Sequence, residues 1–192
     1  MNLGTAGPVT WVPVDPGTPN MQEAERFLTL LGDGLDQWTF QTFDDNGDRR
    51  DGVLAQILHA HDRPVARKLA ELNRLGAGVF AMVNRGDGQG RKAQNVVEVR
   101  AVFVDLDGAP LAGIETAPLE PHLGIESSPG RYHAYWRIEG LDLELFEMVQ
   151  TALARRFGGD PSVKDLPRVM RLPGFYHRRA PPPQTAGPRL GY

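Results

Sequence analysis

An α+β fold is what this sequence predicts, on three observations. Helical apolar spacing dominates before Gly76, strand patterns dominate from Val79 onward, and Pro129-Gly130 stands between two strand patterns as a hairpin turn. A single further helical pattern after Asp142 interrupts the strands. The expectation is therefore a mostly antiparallel sheet with one crossover helix. A chain of 192 residues is long enough for one buried core and too short for two full domains.

Residues 1–20 hold four prolines and three glycines without periodicity and are expected to be a flexible N-terminal arm. Met21–Leu31 places Ala24, Phe27, Leu28 and Leu31 on one helical face, and Gly32 ends it. Trp38–Phe43 alternates as a strand, with Trp38, Phe40 and Thr42 on one side and Thr39, Gln41 and Phe43 on the other. A polar loop over Asp44–Asp51 leads to a helix expected over about Gly52–Ala60. Another begins at Pro64, a favoured first helical position, buries Leu69, Leu72 and Leu75, and stops at Gly76. Val79–Val83 is short and apolar, as a central strand is. After a Gly/Asp/Arg loop over Asn84–Gln94, Val96–Asp107 reads as one long strand. His122–Ser128 and Arg131–Ile138 form the hairpin. Asp142 is placed to cap a helix whose stripe is Leu145, Phe146, Val149, Leu153 and Phe157, closed by Gly158-Gly159. Residues 21–179 then make the folded domain, and the Pro-rich stretch within 180–192 a tail or linker.

The chain has a formal charge of −3 and no cysteine. The missing cysteines exclude disulfides, thiolate zinc sites and cysteine nucleophiles. Net acidity argues against coating nucleic acid by bulk charge. No apolar run nears the roughly 20 residues of a membrane span, and no basic start precedes an apolar stretch, so no membrane association and a cytoplasmic location are expected. The charge is graded: nine acids and three bases in residues 1–60, eight of each in 61–120, seven acids and ten bases in 121–192. A polyanion would meet the C-terminal third.

Three places could carry chemistry. Val102–Gly108 is an apolar strand ending in Asp105-Leu106-Asp107. Two carboxylates on one strand face, about 7 Å apart, suit Mg²⁺ or Mn²⁺ between them, or else mark a solvated Asp-Gly turn. His133 shares a strand face with Arg131, Tyr135 and Arg137, company that suits an anion; His59, His61 and His122 read as surface or packing residues. From Arg168 to Arg179 there are four arginines, one histidine and no acid. Arg178 and Arg179 fit a solvated surface, whereas Val169, Met170 and Leu172 tie Arg168 and Arg171 to the core, where forked donors recognise phosphate.

These residues resemble the archaeo-eukaryotic primase superfamily: an Asp-x-Asp strand end, a histidine on a later strand, and an acid ahead of Arg-x-x-Arg. Phe40–Asp45, Gly78–Asn84 and Arg171–Gly174 further resemble its RepB-like plasmid and phage primase branch. The likeness spans about residues 21–179. It implies an RRM-like, mostly antiparallel catalytic sheet with a helical N-terminal part. It implies a DNA primase or primase-polymerase, a nucleotidyltransferase making short primers on single-stranded DNA from NTPs or dNTPs for a plasmid, phage or integrated element. It implies catalytic roles for Asp105, Asp107, His133 and Asp160, with Asp105, Asp107 and Asp160 at a two-metal Mg²⁺ or Mn²⁺ site. Asp160 stands eight residues ahead of Arg168 and is preferred as the third acid, with Asp165 in reserve. His133, Arg168, Arg171 and His177 match nucleotide-binding positions, with His177 standing where many relatives have Lys or Asn. Arg131 replaces a residue that is often small in the family. Template contact would fall to Arg85, Arg91, Lys92 and Arg100, and Tyr135 and Trp136 suit base stacking, although packing is the expected fate of Trp136. A helicase or C-terminal accessory domain is an expected partner. With no thiolate for a zinc module, template choice falls to arginine-rich loops or a partner.

Two rival readings remain. Val102–Gly108 also imitates the nucleophile strand of haloacid-dehalogenase-type phosphohydrolases, with Asp105 as nucleophile. A non-catalytic nucleic-acid-binding replication module would need the arginines but not the acids.

Overall fold

The computed structural model describes residues 11–13, 19–32, 38–61 and 64–177. The elements are β1 (Trp11–Pro13), α1 (Met21–Leu31), β2 (Thr39–Asp44), β3 (Ile57–His59), α2 (Val65–Arg74), β4 (Ala77–Met82), β5 (Arg85–Gly86), β6 (Val96–Glu98), β7 (Ala101–Asp107), α3 (Ala112–Glu115), β8 (Leu123–Ser128), β9 (Arg131–Arg137), α4 (Phe146–Phe157) and β10 (Val169–Arg171). The expected α+β class holds, but the strands form two four-stranded sheets rather than one. The first has the order β1-β8-β9-β7 and the second β10-β4-β2-β3, while β5 and β6 pair as a separate ribbon. All these pairings are antiparallel except β1 with β8. Within the stretch expected to be an arm, Trp11–Pro13 is thus a strand; Arg178, Arg179 and the tail lie outside the described residues.

The apolar spacing of α1 acts as read. Ala24, Phe27, Leu28 and Leu31 of α1 are all buried, and Asn20 caps the helix by accepting from the Gln22 and Glu23 amides at 3.1 and 3.3 Å. The hairpin of β8 and β9 forms around Pro129-Gly130. One core runs from α1 across both sheets, joining Phe27, Phe40, Val79, Val104, Tyr135 and Phe175.

Four local expectations are overturned. The helix expected over Gly52–Ala60 is a short 3₁₀ turn, Gly52–Leu54, followed by β3. Thr42 explains this: its amide bonds the Gln56 carbonyl at 2.9 Å and its hydroxyl the Leu54 carbonyl at 2.7 Å, so β2 captures the segment as a neighbour. Leu75 is 64% exposed because α2 ends at Arg74. The long strand breaks at Val99-Arg100, where the Arg100 amide bonds the Asn84 side chain at 3.2 Å, and its halves join different partners. Asp142 precedes a 3₁₀ turn and makes no side-chain cap; Leu145 is 44% exposed, and α4 buries Phe146, Gln150 and Ala154.

β7 is the edge of the first sheet, and its outer backbone groups would be unpaired. Gln150 of α4 covers them. Its Oε1 accepts from the Phe103 amide at 2.9 Å, and its Nε2 donates to the Phe103 and Val163 carbonyls at 3.0 and 3.1 Å. Two residues along, the Asp160 amide donates to the Asp105 carbonyl at 2.9 Å. A side chain and a loop thus replace a missing strand. This arrangement also excludes the haloacid-dehalogenase alternative, which needs the acid at the end of a parallel strand in a doubly wound sheet. Here β7 pairs antiparallel with β9.

Replacing Gln150 with Leu keeps the volume but leaves the buried Phe103 backbone groups unpaired. A stability loss of about 2–4 kcal/mol in urea unfolding is expected. A loss under about 0.5 kcal/mol would show that the edge does not depend on this side chain.

Candidate active site

β7 and β9 pair residue for residue, which sets Asp105 opposite His133 and Asp107 opposite Arg131. Alternate residues share a face, so the two acids, Arg131, His133 and Tyr135 lie together. Val104, Leu106 and Ala134 occupy the other face and are buried. The strand is therefore anchored from behind while it presents its acids.

Asp105 is mostly enclosed, with 26% of its side chain exposed. Burial, followed by the charges of Asp107 and Asp160, pushes its carboxyl up to about 6, and Arg131 and Arg168 offset only part of this. Asp107 is half-exposed and pairs with Arg131 Nε at 2.8 Å. Asp160 turns its carboxylate into its own loop, accepting from the Ser162 amide at 2.8 Å and hydroxyl at 2.9 Å. Asp165 instead pairs with Arg168 at 2.5 Å. Of the two candidate third acids, Asp160 is thus the one beside Asp105.

His133 is buried, and that burial, helped by the Arg171 charge, pushes its imidazole down to about 3, so it is neutral. Its Nε2 lies 3.6 Å from Asp105 Oδ1, too long for a hydrogen bond and, with a neutral ring, no ion pair. Its Nδ1 lies 3.2 Å from the Tyr135 hydroxyl. Tyr135 has no exposed surface; burial and then the Asp105 charge push its hydroxyl well above its ordinary value. Its ring packs edge-on against Phe27 at 5.6 Å. Trp136 donates its indole N–H to the Leu119 carbonyl at 2.9 Å and stacks on Phe157. Neither ring is available to stack a base, because the alternation that put them on a strand also put both into the core.

The two arginines of Arg-x-x-Arg differ. Arg168 contacts the Ser162 carbonyl and Asp165, and its Nε is buried without a hydrogen-bond partner. Arg171 makes two bonds to Asp45, at 3.0 and 3.2 Å, and its guanidinium lies 4.6 Å from the centre of the Phe80 ring. His177 is partly buried and is the last described residue, just after Tyr176, whose backbone Asn73 holds at both N–H and C=O.

Of the four basic residues expected at the template, two point inward. Arg91 donates to Gln41 Oε1 at 2.9 Å and the Pro167 carbonyl at 3.1 Å. Arg100 donates to the Val83 carbonyl at 3.2 Å and lies 3.9 Å above the Trp38 ring. Arg85 pairs with Glu98 at the surface, at 3.0 Å. Lys92 is exposed on the rim of an open depression of about 580 Å³ that also involves Gln89 and Asn95, away from Asp105.

Among the described residues, no three acidic or histidine side chains converge closely enough to ligate one ion. The donor chemistry nevertheless fits a hard divalent cation. Asp105 is held near two like charges, and the contacts that engage Asp107 and Asp160 are exposed and cheap to exchange. The sequence assigns no role to Asp45, although Phe40–Asp45 carries part of the resemblance, nor to the Tyr135 hydroxyl or Gln150. A glycine within an apolar strand, Gly78, was the available signal for the first; the other two depend on tertiary packing.

The profile of the RepB DNA-primase N-terminal domain family matches residues 88–188, just over half the chain. No curated protein matches it. Among solved structures, the archaeo-eukaryotic primase domain of the cyanophage S-2L primase-polymerase superposes with a TM-score of 0.71 at 20% identity, over 85% of this chain and 86% of that one. The catalytic domain of primase RepB′ in complex with initiator DNA gives 0.62 at 22% identity, over 85% and 80%. A second RepB′ structure gives 0.60 at 22% identity, over 83% of this chain and 51% of that one. These likenesses show a shared fold. No described helix is long and apolar enough to cross a membrane.

The raised Asp105 carboxyl has a measurable consequence without metal. The folded chain keeps a proton that the unfolded chain, near 3.8, releases. Stability contributed at this site therefore falls as pH rises from about 4 to 6 and stays lower above. Asp105→Asn should raise the metal-free unfolding free energy at pH 7.5 by about 1–2 kcal/mol after discounting for solvent screening, read as a higher melting temperature, with the gain vanishing near pH 4. A gain that persists unchanged at pH 4 would contradict the assignment.

Proposed function

Since the chain belongs to the family of RepB DNA-primase N-terminal domains, we propose that it is a primase or primase-polymerase catalytic domain. It would join nucleoside triphosphates into short primers on single-stranded DNA. The observation that carries this reading is the pairing of Asp105 with His133 across β7 and β9, with Asp107 and Asp160 on the acid and Arg168 and Arg171 acting on the same pair.

In this reading Asp105, Asp107 and Asp160 hold Mg²⁺ or Mn²⁺, which when bound would activate a 3′-hydroxyl and neutralise the pyrophosphate leaving group. Arg168 and Arg171 bind the triphosphate through forked N–H donors. The buried Arg168 Nε–H, unpaired in this structure, is one donor that a small local movement would offer to an anion. His133, neutral at working pH, acts as an oriented hydrogen-bonding group rather than as a charge. Tyr135 holds its Nδ1, leaving Nε2 for the site. Lys92 and Arg85 are the exposed bases that would follow a template backbone; Arg91 and Arg100 support the fold instead. A helicase or a C-terminal accessory domain would supply loading on the template.

The test is synthesis on single-stranded DNA with labelled nucleotides and Mg²⁺ or Mn²⁺. Wild-type protein should yield short products, and Asp105→Asn and Asp107→Asn should each lower the rate by roughly 10³-fold. Absence of product on several templates, with DNA binding that survives both substitutions, would favour the non-catalytic binding module instead.

A further inference from the structure

Only 10% of the Arg171 side chain is exposed, and its charge helps burial hold the His133 imidazole down. A guanidinium there needs a counter-charge and a fixed direction. Asp45, directly after β2, supplies both. Its Oδ1 and Oδ2 accept from Nη2 and Nη1 at 3.0 and 3.2 Å, and its side chain is only 3% exposed. The Phe80 ring lies against the guanidinium, whose carbon stands 4.6 Å from the ring centre.

The carboxylate has room only because residue 78 lacks a side chain. A Cβ on Gly78 would lie 2.3 Å from Asp45 Oδ1 and 2.9 Å from Arg171 Nη1. Gly78 and Phe80 alternate on one face of β4, and Arg171 is in register with Phe80 on β10. Three strands thus build one cradle around a single guanidinium.

We propose that Asp45 is a positioning residue that aims Arg171 at the phosphates of the incoming nucleotide. This rests on the primase reading and adds to it the group that sets the direction of one of its arginines. With its side chain buried and both carboxylate oxygens on the guanidinium, Asp45 forms the enclosed side of the pair. Two of the five guanidinium N–H groups bind Asp45 and three remain. Arg171 therefore contributes direction more than net charge.

The experiment is a double-mutant cycle on primer synthesis with nucleoside triphosphate concentration varied, using Asp45→Asn, Arg171→Lys and both together. Asp45→Asn should raise KM about tenfold with kcat within about threefold, and should add less than about twofold in the Arg171→Lys background. Gly78→Ala, which keeps both charges but crowds the carboxylate, should reproduce the KM effect and carries the test if Asp45→Asn does not fold. Unchanged KM with a lowered melting temperature would make the pair a structural tie. A lowered KM would make Asp45 a competitor of the nucleotide, and multiplicative effects would show no action through Arg171; each of these overturns the proposal. Absence of product from wild-type protein sinks the primase reading itself, whereas product with an unaltered KM in both variants sinks only the role of Asp45.

Discussion

Seven consecutive residues of β7 pair with seven of β9, and nearly everything chemical in this molecule depends on that register. A slip by one residue would turn Asp105 and Asp107 into the core and bring Val104 and Leu106 out. The apolar face of β7 forbids it, because burying two carboxylates unpaired costs far more than any local gain. The acids are thus held together by hydrophobic packing, against their own repulsion. Gln150 and the Asp160 amide hold the outer edge of the same strand, so it has nowhere to move to relieve that repulsion. The raised Asp105 carboxyl is the residue of this conflict, as is common where a fold gives up local stability for a site.

Beside the acids, on the same face of the hairpin, lie two groups without charge. His133 and Tyr135 are buried and neutral, and their mutual contact satisfies polar atoms that would otherwise be unpaired. Arg131 pairs with Asp107 across the hairpin, and the other positive groups, Arg168 and Arg171, come from a later segment where each has its own acid partner. Charges of both signs therefore face one region, each of these arginines with an acid of its own. Such pre-set separation suits a reaction in which phosphates and cations arrive together.

Much of this was legible in the sequence, and the failures have physical causes. Amphipathic spacing located α1, and the alternation around Pro129-Gly130 located the hairpin that faces His133 towards β7, because burial dictates both patterns. The stretch at 52–60 misled because helix propensity is weak beside the edge of β2, which Thr42 uses to capture it. Arg91 and Arg100 look like nucleic-acid contacts by composition. Only the structure shows their guanidinium groups on Gln41, Trp38 and backbone carbonyls. Tyr135 was placed on the right face, but how deeply that face is covered by Phe27 could not be read from β9 alone. Asp45 lay unassigned because its partner is more than a hundred residues away in sequence.

The segment from Gly159 to Arg171 leaves the edge of one sheet and enters the other as β10. It touches β7 where Gly159 lies so close that a Cβ would meet Val104 at 2.2 Å, and it ends in register against Phe80. Both ends are pinned, and between them runs a span of fixed residue count. That span acts as a ruler: it sets how far the acids on one sheet stand from the arginine on the other. Insertions and deletions that surface loops elsewhere absorb easily would here change the spacing of the two charged clusters. The length of this connection, more than its composition, sets that spacing.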